Sequence, residues 1–539
     1  MGIGGALIRR RELLAAGATS LALGGCGNAR EIEGGFIGAS DARGHLLRSD
    51  APIGKPRTIR RVHTLIAGGG IAGLAAARAL RLVGVDDFAL LELEDAAGGN
   101  SRGGAVSGIA CPFGAHYLPV PGDDASEVQD LLEEFGLRRR VAGRWQYDEL
   151  ALCHSPQERL FFNGEWQEGL LPMAGVGPAT IAQYQRFART VDALQKAAKF
   201  TIPVSKVPMA LVQRSLDAIS FEAWLNAQGF DDPHLRWFLH YSCRDDFGAG
   251  IPIVSAWAGI HYFASRHGFH APGDDTEQRD AVLTWPEGNG YLARRLAAPL
   301  ADRLKTGRVV LRIDAGRDGV LVDALDVASQ SIERWQAAQC IVCLPLFVAA
   351  RVVADPPAEL RAAAAQLRYA PWLVSNIKVN RPLGDRPGAP PSWDNVIHDS
   401  AALGWVDAMH QSLQSVPGPT VLTHYHALMA TESDPATARR MLLDRPWVYW
   451  RDAVLNDLAV PHPDIRAKAT RIDMMRWGHA MSIPVPGIRA SDALAALQRQ
   501  PVNGRLRFAH SDLSGYSIFE EAFTHGHRAG LAVAGRGEV

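Results

Sequence analysis

The stretch Val62–Gly73 reads V-H-T-L-I-A-G-G-G-I-A-G, and a second stretch, Leu90–Arg102, reads L-L-E-L-E-D-A-A-G-G-N-S-R. In both, an apolar run of strand length ends near clustered glycines. The first continues into an alanine-rich segment, which predicts a helix over Ala72–Val83. A strand, a glycine turn and a helix followed by a second strand form a βαβ unit. Such a unit, with these glycines, indicates a dinucleotide site, and we expect the dinucleotide to be FAD.

Each glycine of the first turn has a separate physical reason to be there. Gly68 permits the tight turn, and Gly70 leaves room for a pyrophosphate. Gly73 lets the helix pack closely on the strand, so that its first N–H groups face the phosphates. Glu92 follows the next strand, where a carboxylate can accept hydrogen bonds from ribose hydroxyls. An ordinary strand–turn–helix corner is the alternative interpretation.

The 539 residues are too many for one small core and predict two domains, either consecutive or interleaved. A net charge of −1 gives no electrostatic case for nucleic-acid binding. Hydrophobic residues make up 47% and charged residues 21% of the chain, as in globular proteins.

The N-terminus has the pattern of an export signal. Three arginines, Arg9 to Arg11, precede an apolar run, Leu13–Gly25, that is too short to span a bilayer. We therefore expect residues 1–26 to be a signal peptide and residues 27–61 a tether. The paired arginines resemble a twin-arginine signal, and Leu23–Cys26 resembles a lipobox, which predicts lipidation at Cys26. The alternative is soluble export with cleavage near Cys26. The protein would be either periplasmic or held at the extracytoplasmic face of the membrane.

The remaining cysteines carry no functional pattern. Cys340 and Cys343 have CxxC spacing but lie within an apolar strand, where residues three apart point to opposite faces. A redox dithiol or a metal clip is therefore not expected there, and we predict no metal site.

Three other segments are candidates for the cavity. The loop around Gly114, Ala115 and His116 predicts a flavin or substrate contact, although a buried, satisfied histidine is equally consistent. The polar segment Tyr241–Gly248 and the aromatic run Ser255–Ser265 predict either a substrate cavity or, for the aromatics, ordinary core.

Four separated blocks together resemble the FAD-dependent amine oxidase and phytoene desaturase superfamily. They span most of the chain: Gly68–Gly73; Glu92 with Gly98 to Arg102; Pro286–Leu292 with Ala338–Pro345; and Phe508–Gly530. The resemblance implies an α/β fold, in which a glutathione-reductase-like FAD domain is interleaved with an α+β substrate domain. It assigns 62–149, 285–350 and 476–539 to the FAD domain and 150–284 and 351–475 to the substrate domain.

The resemblance also implies a non-covalent, extended FAD, since no cysteine follows Cys343 to attach it. Val310 would contact adenine, Asp512 the ribityl chain, and the helix after Ser517 and Ile518 the flavin ring. The complete set of implied cofactor residues is Gly68, Gly70, Ile71, Ala72, Gly73, Glu92, Leu93, Gly98, Gly99, Asn100, Ser101, Arg102, Gly114, Ala115, His116, Val310, Asp512, Ser517 and Ile518.

The departures from the family concern the chemistry. Asn100 replaces the usual arginine after the glycine pair, and His510 stands where glycine is usual. The paired aromatics of monoamine oxidases have no clear match. The family's lysine position near flavin N5 falls at about Val374, and Lys378 follows four residues later on the same strand face.

His479 lies where the family's chain returns across the flavin, so it is the other catalytic candidate, as an acid or base. A histidine hydrogen-bonded in a loop between domains is the alternative.

We therefore expect an exported FAD-dependent oxidoreductase that moves a hydride from an amine or allylic C–H bond to flavin N5. Its partners would be a small-molecule substrate and an electron acceptor, either oxygen, a quinone or a cytochrome. It would meet a membrane only through the N-terminal lipid. A redox-neutral FAD-dependent isomerase or mutase and a non-catalytic binding lipoprotein are the alternatives.

Overall fold

The computed structural model describes residues 31–48, 53–153, 157–273, 281–412, 416–429, 434–499 and 504–536. The predicted signal peptide and Cys26 lie outside these ranges. Two large β-sheets with helices packed around them organise the described chain. In this part of the chain, no helix is both long enough and apolar enough to cross a bilayer.

The first sheet has seven strands and contains the opening βαβ unit at its centre. In spatial order, its strands are Leu304–Lys305, Phe88–Leu91, Thr58–Ala67, Ser331–Val342, Val320–Asp326 and Arg308–Ala315, with Leu506–Phe508 also paired to Ser331–Val342. The strands on the side of Phe88–Leu91 are parallel, whereas Val320–Asp326 and Arg308–Ala315 are antiparallel to their neighbours. Parallel strands end at one edge, so the glycine turns that follow them meet there.

The second sheet has eight strands and is mainly antiparallel. In spatial order they are Glu33–Phe36, Ala469–Ser482, Tyr369–Val379, Thr420–Ala427, Gly404–Asp407, Asp394–Ile397, Glu158–Phe162 and Glu165–Glu168. Val374 lies near its centre, paired with Tyr425 on one side and Met475 on the other. The largest core cluster packs on this sheet.

Three two-stranded antiparallel sheets complete the strands: Gly103–Val106 with Ile109–Pro112, Tyr117–Pro119 with Val282–Thr284, and Arg138–Val141 with Arg144–Tyr147. The α-helices are Asp41–His45, Ile71–Leu82, Ser126–Glu134, Pro178–Ala197, Leu211–Asp217, Phe221–Ala227, Pro233–Phe247, Ala256–Ala264, Gly290–Ala297, Leu346–Val352, Ala358–Gln366, Pro435–Asp444, Trp447–Leu458, Ile465–Lys468, Asp492–Arg499 and Phe519–Val533. Short 3₁₀ turns occur at Leu46–Arg48, Gly99–Ser101, Val204–Lys206, Ala298–Arg303, Ala408–Gln411 and Ser511–Ser514.

The helix Ile71–Leu82 packs against the C-terminal helix Phe519–Val533. Their backbones are in close contact, because a Cβ added at Gly526 would lie 2.0 Å from the Ala72 carbonyl oxygen. This packing brings the helix Phe519–Val533 against the βαβ unit of the first sheet.

The predicted tether 27–61 is wrong in its described part. Residues 33–36 pair in parallel with the edge strand Ala469–Ser482, and a helical turn follows at Asp41–His45, N-capped by the Ser40 side chain. Thr58 to Arg61 already belong to the central strand of the first sheet. Composition indicated a linker, but an unpaired sheet edge provided hydrogen-bond partners for this polar, glycine-rich segment.

One further expectation, a domain boundary, differs from the structure, and the two segments that were candidates for the cavity are helical. The predicted domain boundary at 476 falls inside the strand Ala469–Ser482, so residues 476–482 lie in the second sheet. The polar segment Tyr241–Gly248 is the last two turns of the helix Pro233–Phe247, ended by Gly248 in the left-handed region. The aromatic run forms the buried helix Ala256–Ala264. The rest of the division into two domains stays a prediction.

Candidate active site

A single large cavity of about 1480 Å³ runs along the C-terminal edge of the first sheet and reaches the second sheet. We distinguish two parts of its lining. The nucleotide wall comprises the two glycine turns, Glu92 and Val310. The carboxylate wall comprises Asp245, Asp246 and Glu520 with the aromatic residues beside them.

The first glycine turn has the geometry that a pyrophosphate needs. Gly68 has φ +105°, a conformation that favours glycine, and its N–H donates to the Leu91 carbonyl at 2.9 Å. A Cβ at Gly70 would point into open space. Gly70 is also the N-cap of the helix Ile71–Leu82 and provides no side-chain cap, so the first-turn N–H groups are available to an anion.

Gly73 does not line the cavity. A Cβ there would lie 1.9 Å from the Gly68 carbonyl oxygen, so the missing side chain allows the helix to approach the turn. Its role is packing behind the nucleotide wall.

Glu92 follows the strand Phe88–Leu91 and is hydrogen-bonded to the first glycine turn. Its carboxylate accepts hydrogen bonds from the N–H groups of Gly69, at 2.9 Å, and Glu94, at 2.8 Å. Burial raises the pKa of Glu92, while these two N–H donors and the charge of Arg102 oppose the rise. The buried carboxylate lines the cavity beside Leu93.

The second glycine turn lies directly against the first. Gly98 donates its N–H to the Gly69 carbonyl at 2.8 Å, and a Cβ at Gly99 would lie 3.2 Å from the Gly70 Cα. Asn100 and Ser101 follow in a 3₁₀ turn and line the cavity. The two turns therefore form one continuous backbone cradle.

Arg102 is not among the residues that line the cavity. Its guanidinium lies over the Trp477 ring, 5.5 Å from the centroid, and 3.9 Å from the Glu94 carboxylate. The contact of Arg102 with the cofactor stays a prediction; among the described residues, its buried Nε and Nη2 atoms have no hydrogen-bond partner. Asn100 instead faces the strand Ala469–Ser482 and donates to the Ala480 carbonyl.

Asp512 lies at the centre of a buried hydrogen-bond network beside the nucleotide wall. It accepts from the Tyr369 hydroxyl at 2.6 Å and from the Leu346 N–H at 2.9 Å. Burial opposes ionisation, but the charge and hydrogen bond of His510 and these donors hold the pKa of Asp512 below its usual range. An ionised carboxylate at this position is therefore stable at neutral pH.

The carboxylate wall places three acidic side chains around one part of the cavity. Asp245 and Asp246 end the helix Pro233–Phe247, and Glu520 lies in the first turn of the C-terminal helix. Asp246 forms an ion pair with Arg266 at 3.1 Å. Burial, with the nearby charge of Asp246, raises the pKa of Asp245 to about 7.

Glu520 has a similar environment, since burial raises its pKa to about 7 as well. Burial also raises the pKa of Asp246, although Arg266 opposes this. Three carboxylates facing one arginine leave this wall with an excess of potential negative charge.

Aromatic rings flank these carboxylates. The His116 ring stacks on Tyr425, with 4.3 Å between centroids, and lies 5.4 Å from Trp393. Burial lowers the pKa of His116 to about 3, so this imidazole is neutral at pH 7. The Tyr425 hydroxyl donates to the Gly114 carbonyl at 2.9 Å, which holds the loop containing Ala115 against the second sheet.

His479 and Lys378 differ in their placement. His479 lines the cavity, stacked on Phe347 at 4.5 Å, and burial followed by the charges of Arg439, Arg48 and His45 lowers its pKa to about 4. It is therefore a neutral proton acceptor at pH 7.

Lys378 does not line the cavity, whereas Trp372 and Val374 of the same strand do. Four residues of strand cover about 13 Å, so Lys378 lies beyond the cavity although its position in the sequence is on the same face. The structure thus does not support Lys378 as a catalytic residue.

Of the predicted cofactor residues, seventeen share this cavity, and Gly73 and Arg102 are the two that lie behind its wall. They are Gly68, Gly70, Ile71, Ala72, Glu92, Leu93, Gly98, Gly99, Asn100, Ser101, Gly114, Ala115, His116, Val310, Asp512, Ser517 and Ile518. The open position at Gly70, the uncapped helix start and the buried Glu92 carboxylate fit the phosphate and ribose groups of FAD.

The sequence did not indicate that Glu520 and most of the segment 36–48 line the cavity. The available signal for Glu520 was its pairing with Glu521 in the first turn of a helix that has an apolar surface. No local signal identified the N-terminal segment, because its contacts are to residues distant in sequence.

A family model described as flavin-containing amine oxidoreductase matches residues 71–533 of the chain. The chain belongs to this family. The match includes the second glycine turn, the carboxylate wall and the C-terminal helix, so the chain is an FAD-dependent oxidoreductase. The flavin, when bound, supplies the hydride-accepting chemistry.

Solved structures show the same fold at low identity. A double mutant of putrescine oxidase has a TM-score of 0.67 at 19% identity, covering 89% of this chain and 100% of that one. Cyclohexylamine oxidase from Brevibacterium oxydans IH-35A has a TM-score of 0.61 at 18%, covering 88% and 99%. A CLA-producing fatty acid isomerase from P. acnes has a TM-score of 0.58 at 14%, covering 86% and 97%.

The predicted α/β fold with an FAD domain and a substrate domain is thereby confirmed for this member of the family. A search of the curated proteins found no match.

Proposed function

We propose that this flavin-containing amine oxidoreductase oxidises a cationic amine, by transfer of a hydride from the carbon next to nitrogen to flavin N5. The carboxylate wall carries the proposal. Asp245, Asp246 and Glu520 face a cavity that also contains the FAD cradle, and only Arg266 is ion-paired with them among the described residues.

The charge of this wall favours an amine over an allylic hydrocarbon. A polyene gains nothing from buried carboxylates, which cost free energy unless a cation is present. An ammonium group would repay this cost with charge-assisted hydrogen bonds. His116, Tyr117 and Tyr425 give the same part of the cavity rings that can contact the substrate's carbons or its cation.

The same carboxylates can move a proton. An amine must lose its ammonium proton before its C–H bond can give up a hydride, because the nitrogen lone pair stabilises the resulting cation. Asp245 and Glu520, with pKa values raised by burial to about 7, suit the role of proton acceptor near neutral pH. His479, whose imidazole is neutral at pH 7, is another candidate proton acceptor and lines a different part of the cavity.

Anaerobic mixing of the purified holoprotein with candidate substrates tests the proposal. We expect loss of the visible flavin absorbance with primary amines and diamines, and no loss with polyenes or hydroxylated lipids of similar size. Bleaching by polyenes but not by amines would reject the amine substrate. Turnover that needs reduced flavin but consumes no acceptor would instead show a redox-neutral isomerase.

The electron acceptor is a separate part of the proposal. Oxygen, a quinone and a cytochrome are the candidates, and reoxidation of the bleached enzyme by each, followed in a stopped-flow instrument, ranks them. If oxygen, the quinone and the cytochrome each reoxidise the enzyme more slowly than it turns over with artificial dyes, the acceptor belongs to another class.

We also propose export through a twin-arginine signal and a lipid anchor at Cys26, supported by the sequence pattern from Arg9 to Cys26. Fractionation of expressing cells should find the protein on the outer face of the membrane, and Cys26→Ser should release it to the soluble fraction. Replacement of Arg9 and Arg10 by lysine should block export, and export unaffected by both changes would exclude this route.

A further inference from the structure

The N-terminal segment of the described chain, residues 31–48, crosses the cavity; we call it the strap. It lies ahead of residue 71, where the family match begins. Its strand Glu33–Phe36 continues the second sheet, and its helical turn Asp41–His45 lies near the first. The strap therefore spans from one sheet to the other.

The strap contributes directly to the cavity wall. Most of its residues between Phe36 and Arg48 line the cavity, on the side of the glycine turns and of Trp477. One end is held by Arg476, whose guanidinium lies 4.2 Å from the Phe36 ring centroid and 3.5 Å from the Asp41 carboxylate.

The middle of the strap is also held on the loop that follows Glu92. The Ser40 N–H donates to Glu94 Oε1 at 2.8 Å, and Arg43 donates to the Leu93 carbonyl at 3.2 Å. Arg43 also contacts Asp95 at 2.8 Å, but the Asp95 side chain is 84% exposed and this pair contributes little. The contacts that matter are those to Leu93 and Glu94.

Glu94 links the strap to the cofactor cradle. Its carboxylate accepts from the strap, and its N–H donates to Glu92 Oε1 at 2.8 Å. Glu92 in turn accepts from the Gly69 N–H at 2.9 Å. A continuous set of hydrogen bonds therefore runs from Ser40 of the strap to the first glycine turn.

We propose that the strap is the outer wall of the FAD site, and that Arg43 is a positioning residue that holds Leu93 and Glu94, and through them Glu92, in the FAD-binding geometry. FAD then binds tightly only when the strap is docked, and FAD stabilises the docked strap in return. This reciprocity is required of any two coupled equilibria.

The test uses FAD affinity, measured by titrating FAD into protein freed of its flavin and following flavin fluorescence. Arg43→Ala should raise the dissociation constant about tenfold, and Glu94→Gln should have a similar effect, since each loses a charged hydrogen bond. Arg43→Lys should recover part of the affinity. Arg57→Ala, which changes an exposed arginine outside the strap, is the matched control and should leave the affinity unchanged.

A second measurement needs no variant. Trypsin should cleave the wild-type strap after Arg43 or Arg48 several-fold more slowly when FAD is present, and Arg43→Ala should reduce the protection of the Arg48 site. Both readouts are independent of substrate, so they stand apart from the proposed amine oxidation. Dissociation constants within twofold of wild type for Arg43→Ala and Glu94→Gln, or cleavage at the same rate with and without FAD, would overturn the proposal.

Discussion

At the nucleotide wall the cavity is formed by backbone groups of two adjacent glycine turns, whereas at the carboxylate wall it is formed by buried side chains from separate helices. The first wall offers N–H groups, open space at Gly70 and one carboxylate, Glu92. The second offers Asp245, Asp246 and Glu520 in surroundings that raise their pKa values.

This difference matches the two tasks of the site. A cofactor that stays bound is best held by a preorganised backbone, which does not change charge with pH. A substrate that arrives, loses a proton and leaves needs groups that can exchange protons near neutral pH. Changes at the nucleotide wall should therefore alter FAD binding, and changes at the carboxylate wall should alter turnover.

The largest expected effect is at Gly73, behind the nucleotide wall. Gly73→Val would force a side chain against the Gly68 carbonyl, where even a Cβ would lie at 1.9 Å, so the helix start must move away from the phosphates. We expect loss of about 3 kcal/mol, or more than about 100-fold, in FAD affinity.

Gly122→Ala is the control for this change, because a Cβ there meets nothing within 4 Å. FAD titration measures both variants. Retention of wild-type affinity by Gly73→Val would show that the close approach of helix and turn is not required.

Glu92→Ala should have the next largest effect. It removes the carboxylate from the cavity and leaves the Gly69 and Glu94 N–H groups without their partner. We expect FAD affinity to fall by about 1–3 kcal/mol, or about 5–150-fold. Glu165→Ala, at an exposed hairpin position, should have no effect, and equal affinities of the two variants would place Glu92 outside the site.

Substitutions in the carboxylate wall should lower turnover rather than FAD affinity. In Asp245→Asn with Glu520→Gln, we expect kcat/KM for an amine to fall about 10–100-fold, the cost of about 1.5–3 kcal/mol for lost charged hydrogen bonds. FAD affinity should stay at the wild-type value. Asp192→Asn, at an exposed ion pair, is the control. A loss of FAD with unchanged turnover of the remaining holoenzyme would reverse our assignment of the two walls.

The pH dependence should be the smallest effect and the most specific. A carboxyl group with its pKa raised to about 7 is ionised above that pH and neutral below it, so cation binding weakens as the pH falls. We expect kcat/KM for an amine to fall about tenfold per pH unit below about 7. FAD affinity should change little over the same range, and the double variant should lose the pH dependence. A profile that rises toward acid pH would contradict cation binding by these groups.

The nucleotide wall was largely predictable from the sequence. Gly68, Gly70 and Glu92 act within one βαβ unit, where spacing along the chain determines position in space. The error concerned position along a strand: Val374 lines the cavity, whereas Lys378, four residues later on the same strand, does not.

The carboxylate wall was predictable only in part. The segment that contains Asp245 and Asp246 was a candidate by its polarity, but Glu520 comes from almost the other end of the chain. The strap is the clearest failure, because a glycine-rich, charged composition indicates a linker unless a sheet edge is available to pair with it.

The sequence by itself determined the FAD-binding turn, because the turn depends on glycines and apolar runs at short, fixed spacing, and the resemblance to the family implied the role of the C-terminal block. Only the tertiary structure decided which distant side chains share the cavity with them. The reason is physical. The pKa of a buried carboxylate is shifted only where packing surrounds it with other elements, and the strap can pair with a sheet edge only where packing places that edge beside it.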